Sequence, residues 1–282
     1  MSLAASCRLR LAFNAALWNP TKEEWSRLGS FIQAEEREKI SQFYYKDDAK
    51  IRLACRLLIR YALSRTTKLN WKDLKLFRDE RDKPYLDPHL KTNIFFNASH
   101  QGDYVVVVTD TVNVGVDVMD VRESHGDLEN FFKLMNRQFT PSEWTIINQP
   151  ETAKEKMKAF YRNWCLKESF VKALGIGISY PLLSLNFQPQ CSLYSWGIVT
   201  SSLLFIDGKV ESDWSFEESM IDDNHVVAVA RNFGPLKTSC LFNTVTINDI
   251  LRKTELLEAC SEIDDVFENC FYKPDKPRRK QL

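Results

Sequence analysis

Neither sign of charge is in excess in this chain: 38 lysines and arginines stand against 38 aspartates and glutamates. That balance argues against a dedicated nucleic-acid binder, so any basic cluster has to be local. No CxxC spacing occurs among the seven cysteines, Cys7, Cys55, Cys165, Cys191, Cys240, Cys260 and Cys270. An odd, scattered set speaks for reduced thiols in a cytosolic-type compartment rather than a disulfide frame or a zinc site. Long apolar runs are missing as well. Stretches such as Tyr104–Val108 and Ser202–Ile206 fall far short of the ~20 residues that cross a bilayer. The N-terminus has no clear signal-peptide pattern, and no internal repeat is visible. A cytoplasmic protein is expected, with no membrane or nucleic-acid partner, and nothing demands a second copy, so a monomer is expected.

What is present suits a folded protein. With 282 residues, 44% hydrophobic and 27% charged, the chain can bury a substantial core. Leu9–Trp18 reads as an opening strand, and Thr21 with Glu24 can cap a following helix. Glu35–Arg65 reads as one long helix whose recurring bases, Lys39, Lys50, Arg52, Arg56 and Arg60, are for the most part expected to form a solvated face. Trp71–Arg78 and Asn93–Asn97 read as strands, with Ala98–Asp103 as a tight polar connection. Tyr104–Thr109 is a β-branched strand. Asn113–Met119 alternates strictly, placing Val114, Val116 and Val118 on one face and Gly115, Asp117 and Met119 on the other. Later strands are expected at 184–187, 203–206, 214–218 and 225–231, with a hairpin turn at Asp207-Gly208. The fold class is therefore α+β, in two α/β units: an N-terminal one over residues 1–112 and a second over 113–232. Residues 233–282 form an extension with helical patches at Ile247–Cys260 and a Pro- and base-rich end expected to be disordered.

Glu155–Leu174 is the segment with most chemical promise. It lacks Gly and Pro, and Met157, Phe160, Tyr161, Trp164 and Val171 return on one side of a helix. Glu168 falls in the middle of that side, where a carboxylate must be paired, protonated or bound to a metal. Lys172, at i+4, can reach the same edge, so an internal Glu168–Lys172 ion pair is the plain alternative to a site. Asp117, on a buried strand, raises the same question, and a hard cation held by Asp117 and Glu168, with Mg²⁺ foremost, is one answer. Asp120 points the other way. The segment Asn97-Ala98-Ser99-His100-Gln101-Gly102 either presents donors to a phosphate, with His100 able to carry charge near neutrality, or is a turn that satisfies itself.

Taken together, NASHQGDY, then VGVDVM, then FYRNWCLKESFVKALGIG resemble the Sfp-type 4′-phosphopantetheinyl transferases. The family pattern is approximately N-[IA]-S-H, G-[IV]-D and W-x-x-K-E-[SA]-x-x-K, in that order, and the likeness covers roughly residues 30–230. HQGDY, FYRNW and FEES-x-ID are most similar to the family's animal branch. The resemblance implies two similar, pseudo-duplicated α/β subdomains with the cofactor site between them. It implies transfer of 4′-phosphopantetheine from coenzyme A to a serine of an apo carrier protein, releasing adenosine 3′,5′-bisphosphate. The carrier would belong to a fatty acid synthase, an aminoadipate-pathway protein or similar. By the same resemblance Asp117 and Glu168 are Mg²⁺ ligands, Glu168 is the candidate base for the carrier serine, directly or through a water, and Lys172 contacts the phosphates. Asn97, Ala98, Ser99 and His100 belong to the coenzyme A pocket, and Lys39, Arg78, Arg81 and Lys83 hold the nucleotide end. Two positions depart from the pattern. Met119 stands where many bacterial members carry a third carboxylate, so a water held by Gln101 would fill that coordination position. Asp82 stands where a glycine is usual before Lys-Pro. Phe131, Phe132 and Phe139 are candidates for docking the carrier.

A non-catalytic module that binds coenzyme A or a carrier would not need a metal acid beside a base, which weighs against that reading. A scaffold with an internal salt bridge leaves NASH without an explanation.

Overall fold

A computed structural model describes residues 8–122, 127–193, 197–232, 239–251 and 264–277. The N-terminal part runs β1 (Leu9–Asn14), α1 (Lys22–Gly29), α2 (Ala34–Ser41), α3 (Lys46–Thr67), β2 (Leu76–Arg78), β3 (Pro84–Leu86), β4 (Phe95–Gln101) and β5 (Tyr104–Asp110). The second part runs β6 (Val114–Asp120), α4 (Leu128–Leu134), α5 (Pro141–Asn148), α6 (Ala153–Leu174), β7 (Leu185–Gln188), β8 (Leu203–Ile206), β9 (Lys209–Val210), β10 (Trp214–Asp222) and β11 (His225–Asn232). After it come β12 (Asn243–Thr244), α7 (Ile247–Leu251) and α8 (Asp265–Asn269).

Two sheets dominate, one in the order β12-β1-β5-β4 and one in the order β10-β11-β6. Strand β5 is buried along its whole length, and its two faces serve different layers. Val105 and Val107 join Leu11, Phe13, Leu53 and Leu57 in a core with α3. Val106 and Val108 join Val114, Val116, Val118, Val227 and Val229, a valine layer between the two sheets. The opposite face of the second sheet carries Val226, Ala228 and Ala230 against α6. The helices α3 and α6 are therefore outermost, with the sheets between them. No described helix is long and apolar enough to cross a membrane.

Several expectations change. The stretch read as one helix over 35–65 is two, because the chain leaves α2 at Ser41 and starts α3 at Lys46. Trp71–Asp73 is a 3₁₀ turn, leaving only Leu76–Arg78 extended. The bases of α3 are not a solvated face: Arg60 is fully buried and Arg56 nearly so. Both pair with Glu36, at 3.0 and 3.5 Å, and Arg60 also donates to the carbonyls of Trp71 and Leu74. The terminal nitrogens of Arg60 are matched in this way, while its Nε is buried without a hydrogen-bond partner.

The extension returns to the N-terminal part. β12 pairs in parallel with β1, and Val245, Ile250, Phe267 and Cys270 enter the α3 core. Phe267 stacks on Trp25 with centroids 5.2 Å apart, while Trp25 Nε1 donates to the Phe267 carbonyl at 3.1 Å. Gly29 makes room for it, since a Cβ there would lie 2.2 Å from the Phe267 ring. Lys46 N donates to the Pro274 carbonyl, and Lys276 bonds Asp47 and Asp48 in the first turn of α3. The expected helix over Ile247–Cys260 is described only as far as Leu251. Residues 252–260 and Cys7 lie outside the described residues, as do 278–282 of the end expected to be disordered over 273–282. The described part of that end is instead held by Lys273 Nζ on the Ser41 carbonyl and by the Pro274 and Lys276 contacts.

Candidate active site

The two sheets meet at β4 and β6, and side chains rather than backbone make the joint. β4 continues through Gln101, so Asn97, Ser99 and Gln101 alternate onto one face of a strand instead of forming a turn. Asn97 Oδ1 accepts from Val116 N at 3.1 Å, Ser99 Oγ donates to Asp117 Oδ1 at 2.8 Å, and Gln101 Oε1 accepts from Asp120 N. Three polar side chains at period two thus stand in for ladder hydrogen bonds that the strands do not make. The turn beyond is held by His225, which is fully buried. Its Nε2 accepts from Asp103 N at 3.2 Å, which leaves the proton on Nδ1, 2.8 Å from Asp222 Oδ1. Gly102, at φ 60°, fits only without a side chain, because a Cβ would lie 2.7 Å from His225 Nε2.

Helix α6 lies across β6 at Gly115. A Cβ on Gly115 would sit 2.1 Å from the Ser169 carbonyl and 2.4 Å from Ala173 N, so the helix backbone rests directly on the strand. This close approach brings Lys172 to Asp117, two residues along the same strand face. Lys172 Nζ lies 2.6 Å from Asp117 Oδ1 and 2.8 Å from Ser99 Oγ. The i,i+4 pair between Glu168 and Lys172 does not form; the lysine goes to the strand instead. Asp117 is buried and its second oxygen, Oδ2, has no hydrogen-bond partner. Glu168 is half-buried, and its pKa is raised first by burial and then by the charge of Asp117, with Lys172 opposing. The two carboxylates therefore share one electrostatic environment, with one oxygen of Asp117 unsatisfied. Such a lone buried oxygen beside a second acid fits a hard cation. Among the described residues no group of three or more His, Cys, Asp or Glu is placed to hold a metal, so protein ligation would rest on these two acids. Gln101 uses Oε1 to accept from the Asp120 amide.

His100 points away from this seam and is neutral. Burial, followed by the charges of Arg52, Lys172 and Arg56, lowers its pKa to about 4, so the positive charge expected near neutrality is absent. Ala98 packs toward the α3 core. Arg52 and Arg56 are the residues that the sequence reading missed. They sit among bases on a helix whose apolar pattern hides which of its polar faces looks inward.

Of the remaining bases, Lys39 is on α2 and Arg78, Arg81 and Lys83 are on the β2–β3 hairpin. Lys39 and Arg78 both bind the carboxylate of Asp82, Arg78 at 2.9 Å. Arg81 donates to the Gly175 carbonyl and Lys83 to the Ala173 carbonyl, each at 3.2 Å. Gly175 closes α6 at φ 72°, and these two cations meet the negative end of the helix dipole. Burial lowers the Lys83 pKa. A cleft of about 340 Å³ opens beside the hairpin, lined by Lys83, Tyr85 and Phe95 and, from the second part, Asn113. Lys167, the neighbour of Glu168, plays a different part. It is fully buried against Glu143 at 2.8 Å and donates to the carbonyls of Gln138 and Leu182, tying α5, the turn before it and the loop after α6 to that helix. Phe139 is buried beside it, which removes it from a docking role.

Residues 16–112 match the model described as 4′-phosphopantetheinyl transferase, N-terminal, and residues 113–230 match that of the 4′-phosphopantetheinyl transferase superfamily. The chain belongs to the 4′-phosphopantetheinyl transferase superfamily.

Among curated relatives, the human L-aminoadipate-semialdehyde dehydrogenase-phosphopantetheinyl transferase is 39% identical over 228 residues, 79% of this chain and 74% of that one. The Xenopus laevis protein of the same name is 36% identical over 228 residues, 79% of this chain and 75% of its own. The Bacillus subtilis (strain 168) 4′-phosphopantetheinyl transferase Sfp is 32% identical over 168 residues, 60% of this chain and 71% of its own. A solved holo-(acyl-carrier-protein) synthase from Bacillus anthracis, in complex with CoA (3′,5′-ADP), covers 44% of this chain and 97% of its own at 18% identity and a TM-score of 0.32, too slight a likeness to argue from. This chain is thus a phosphopantetheinyl transferase of the two-part α+β type, an enzyme that modifies carrier proteins. Asp117, Glu168 and Lys172 all fall within the superfamily match.

Proposed function

We propose that the transferase takes its 4′-phosphopantetheine from coenzyme A, with Mg²⁺ held by Asp117 and Glu168, and releases adenosine 3′,5′-bisphosphate. The observation that carries this reading is the buried, unpartnered Asp117 Oδ2 beside a Glu168 whose pKa is raised by burial and by Asp117 itself. When bound, the cation supplies charge neutralisation at the diphosphate oxygens. The chain's own residues supply the rest. Lys172, now on Asp117 and Ser99, has a flexible ammonium that can turn to a phosphate oxygen while remaining near both. Glu168 accepts the proton of the carrier serine, directly or through a water, as the serine oxygen attacks phosphorus and that proton becomes acidic in the transition state. Such a transfer depends on positioning and electrostatics more than on covalent catalysis, which a site fixed by a strand, a helix and a side-chain seam provides.

Lys39, Arg78, Arg81 and Lys83 are assigned to the nucleotide end of the donor, with Arg52 and Arg56 adding to the positive field around His100. Asn97, Ala98, Ser99 and His100 form the wall of that pocket. Helix α4 carries no buried residue and leaves Leu134 74% exposed, so it is the face offered to a carrier domain, with Phe131 and Phe132 bracing it on Phe160. We place the reaction in the cytoplasm and on a monomer. Incubation with coenzyme A, Mg²⁺ and an apo carrier domain, read by intact mass, tests the reading. The expected result is one phosphopantetheine per carrier, lost when the acceptor serine is changed to alanine; an unmodified carrier at full conversion time would refute it.

A further inference from the structure

The Lys39–Asp82–Arg78 cluster links α2 to the β2–β3 hairpin through an exposed carboxylate. Asp82 adopts φ 62°, a left-handed conformation uncommon for a residue with a Cβ. Its side chain is 64% exposed, and ion pairs in such surroundings contribute little to stability. The setting is nevertheless crowded with positive charge. The Arg78 pKa is lowered by burial and then by Arg56 and Arg52, which Asp82 and Glu36 oppose. Two cations from elements 39 residues apart in sequence (Lys39 of α2 and Arg78 of β2) converge on one carboxylate, and the Arg78 guanidinium also reaches the Asp82 carbonyl at 2.6 Å. A notch with two convergent cations and one small internal anion has the charge pattern of an anion site already filled.

We propose that Asp82 is an internal counter-ion seated in an anion notch formed by Lys39 and Arg78, and that a phosphate monoester on the incoming donor must displace it. The inference rests on the reading of this site as coenzyme A-dependent. The 3′-phosphate of coenzyme A is such a group, and a dianion there replaces a monoanion. Asp82 then sets how much affinity the enzyme draws from that phosphate. It also keeps Lys39 and Arg78 gathered when the donor is absent.

Calorimetric titration of coenzyme A and of 3′-dephospho-coenzyme A into wild type and Asp82→Asn tests this. Asparagine removes the charge and accepts the left-handed backbone. Asp82→Asn is expected to bind coenzyme A about fivefold more tightly at low salt, with little change for the dephospho compound. The double variant Lys39→Met/Asp82→Asn is expected to lose that gain, which separates a notch effect from altered folding. Unchanged or weaker coenzyme A binding by Asp82→Asn, or an equal gain for both ligands, would overturn the proposal while leaving the transferase reading intact. Wild type that binds neither ligand would overturn both.

Discussion

Gly115→Ala is the substitution that couples fold to chemistry most sharply. The new Cβ would lie 2.1 Å from the Ser169 carbonyl and 2.4 Å from Ala173 N, both backbone atoms of α6 that no rotamer change can move. Restoring ordinary contact takes a separation of about 1 Å or more between helix and strand. Overpacking of this kind costs on the order of 1–3 kcal/mol, so a clear fall in the urea midpoint is expected. The same displacement carries Lys172 away from Asp117, whose 2.6 Å contact depends on the helix lying flat on the strand. A misplacement of about 1 Å at a transfer site lowers the rate by roughly 100-fold. Turnover measured well below the unfolding transition separates the two effects. Alanine at 115 with wild-type stability and wild-type turnover would refute the claim that backbone contact at Gly115 sets the site.

Three further outcomes are expected. Phe267→Ala, which empties a fully buried position stacked on Trp25, should lower stability by about 3–5 kcal/mol in chemical denaturation although it lies outside both family matches. His100 has its folded pKa depressed to about 4, so the unfolded chain binds its proton first as pH falls. Its contribution is present above the ordinary value of about 6.5 and is lost progressively between there and about 4. His100→Gln should therefore flatten the stability–pH curve over that window, and an unchanged acid limb would contradict the assignment. Leu134→Glu should raise the carrier KM while leaving coenzyme A affinity unaltered, and an unchanged KM would remove α4 from carrier docking.

Much of this architecture is legible in the chain itself. Helix α6 announces itself by an apolar stripe without Gly or Pro and by Gly175 at its end, and β6 by strict alternation across Gly115 and Asp117. The seam does not. Asn97, Ser99 and Gln101 look like a turn because polar residues usually leave strands, and only the presence of β6 alongside turns them into cross-sheet partners. Arg56 and Arg60 look solvated because their partner, Glu36, lies on a different helix. The pairing of β12 with β1 and the insertion of Phe267 beneath Trp25 join segments more than two hundred residues apart, and local pattern carries no trace of either. At the site, the residue types gave the acids and the base. Which acid receives Lys172 depended on the approach of α6 to β6, a packing fact.

Coenzyme A affinity with and without Mg²⁺, measured on wild type and on Asp117→Asn and Glu168→Gln, addresses the two-carboxylate metal site directly. Wild type should bind coenzyme A more tightly when Mg²⁺ is present, and each variant should lose that dependence and turn over at least about 100-fold more slowly. Either variant keeping the wild-type Mg²⁺ response would contradict the assignment of Asp117 and Glu168 as the residues that hold the cation.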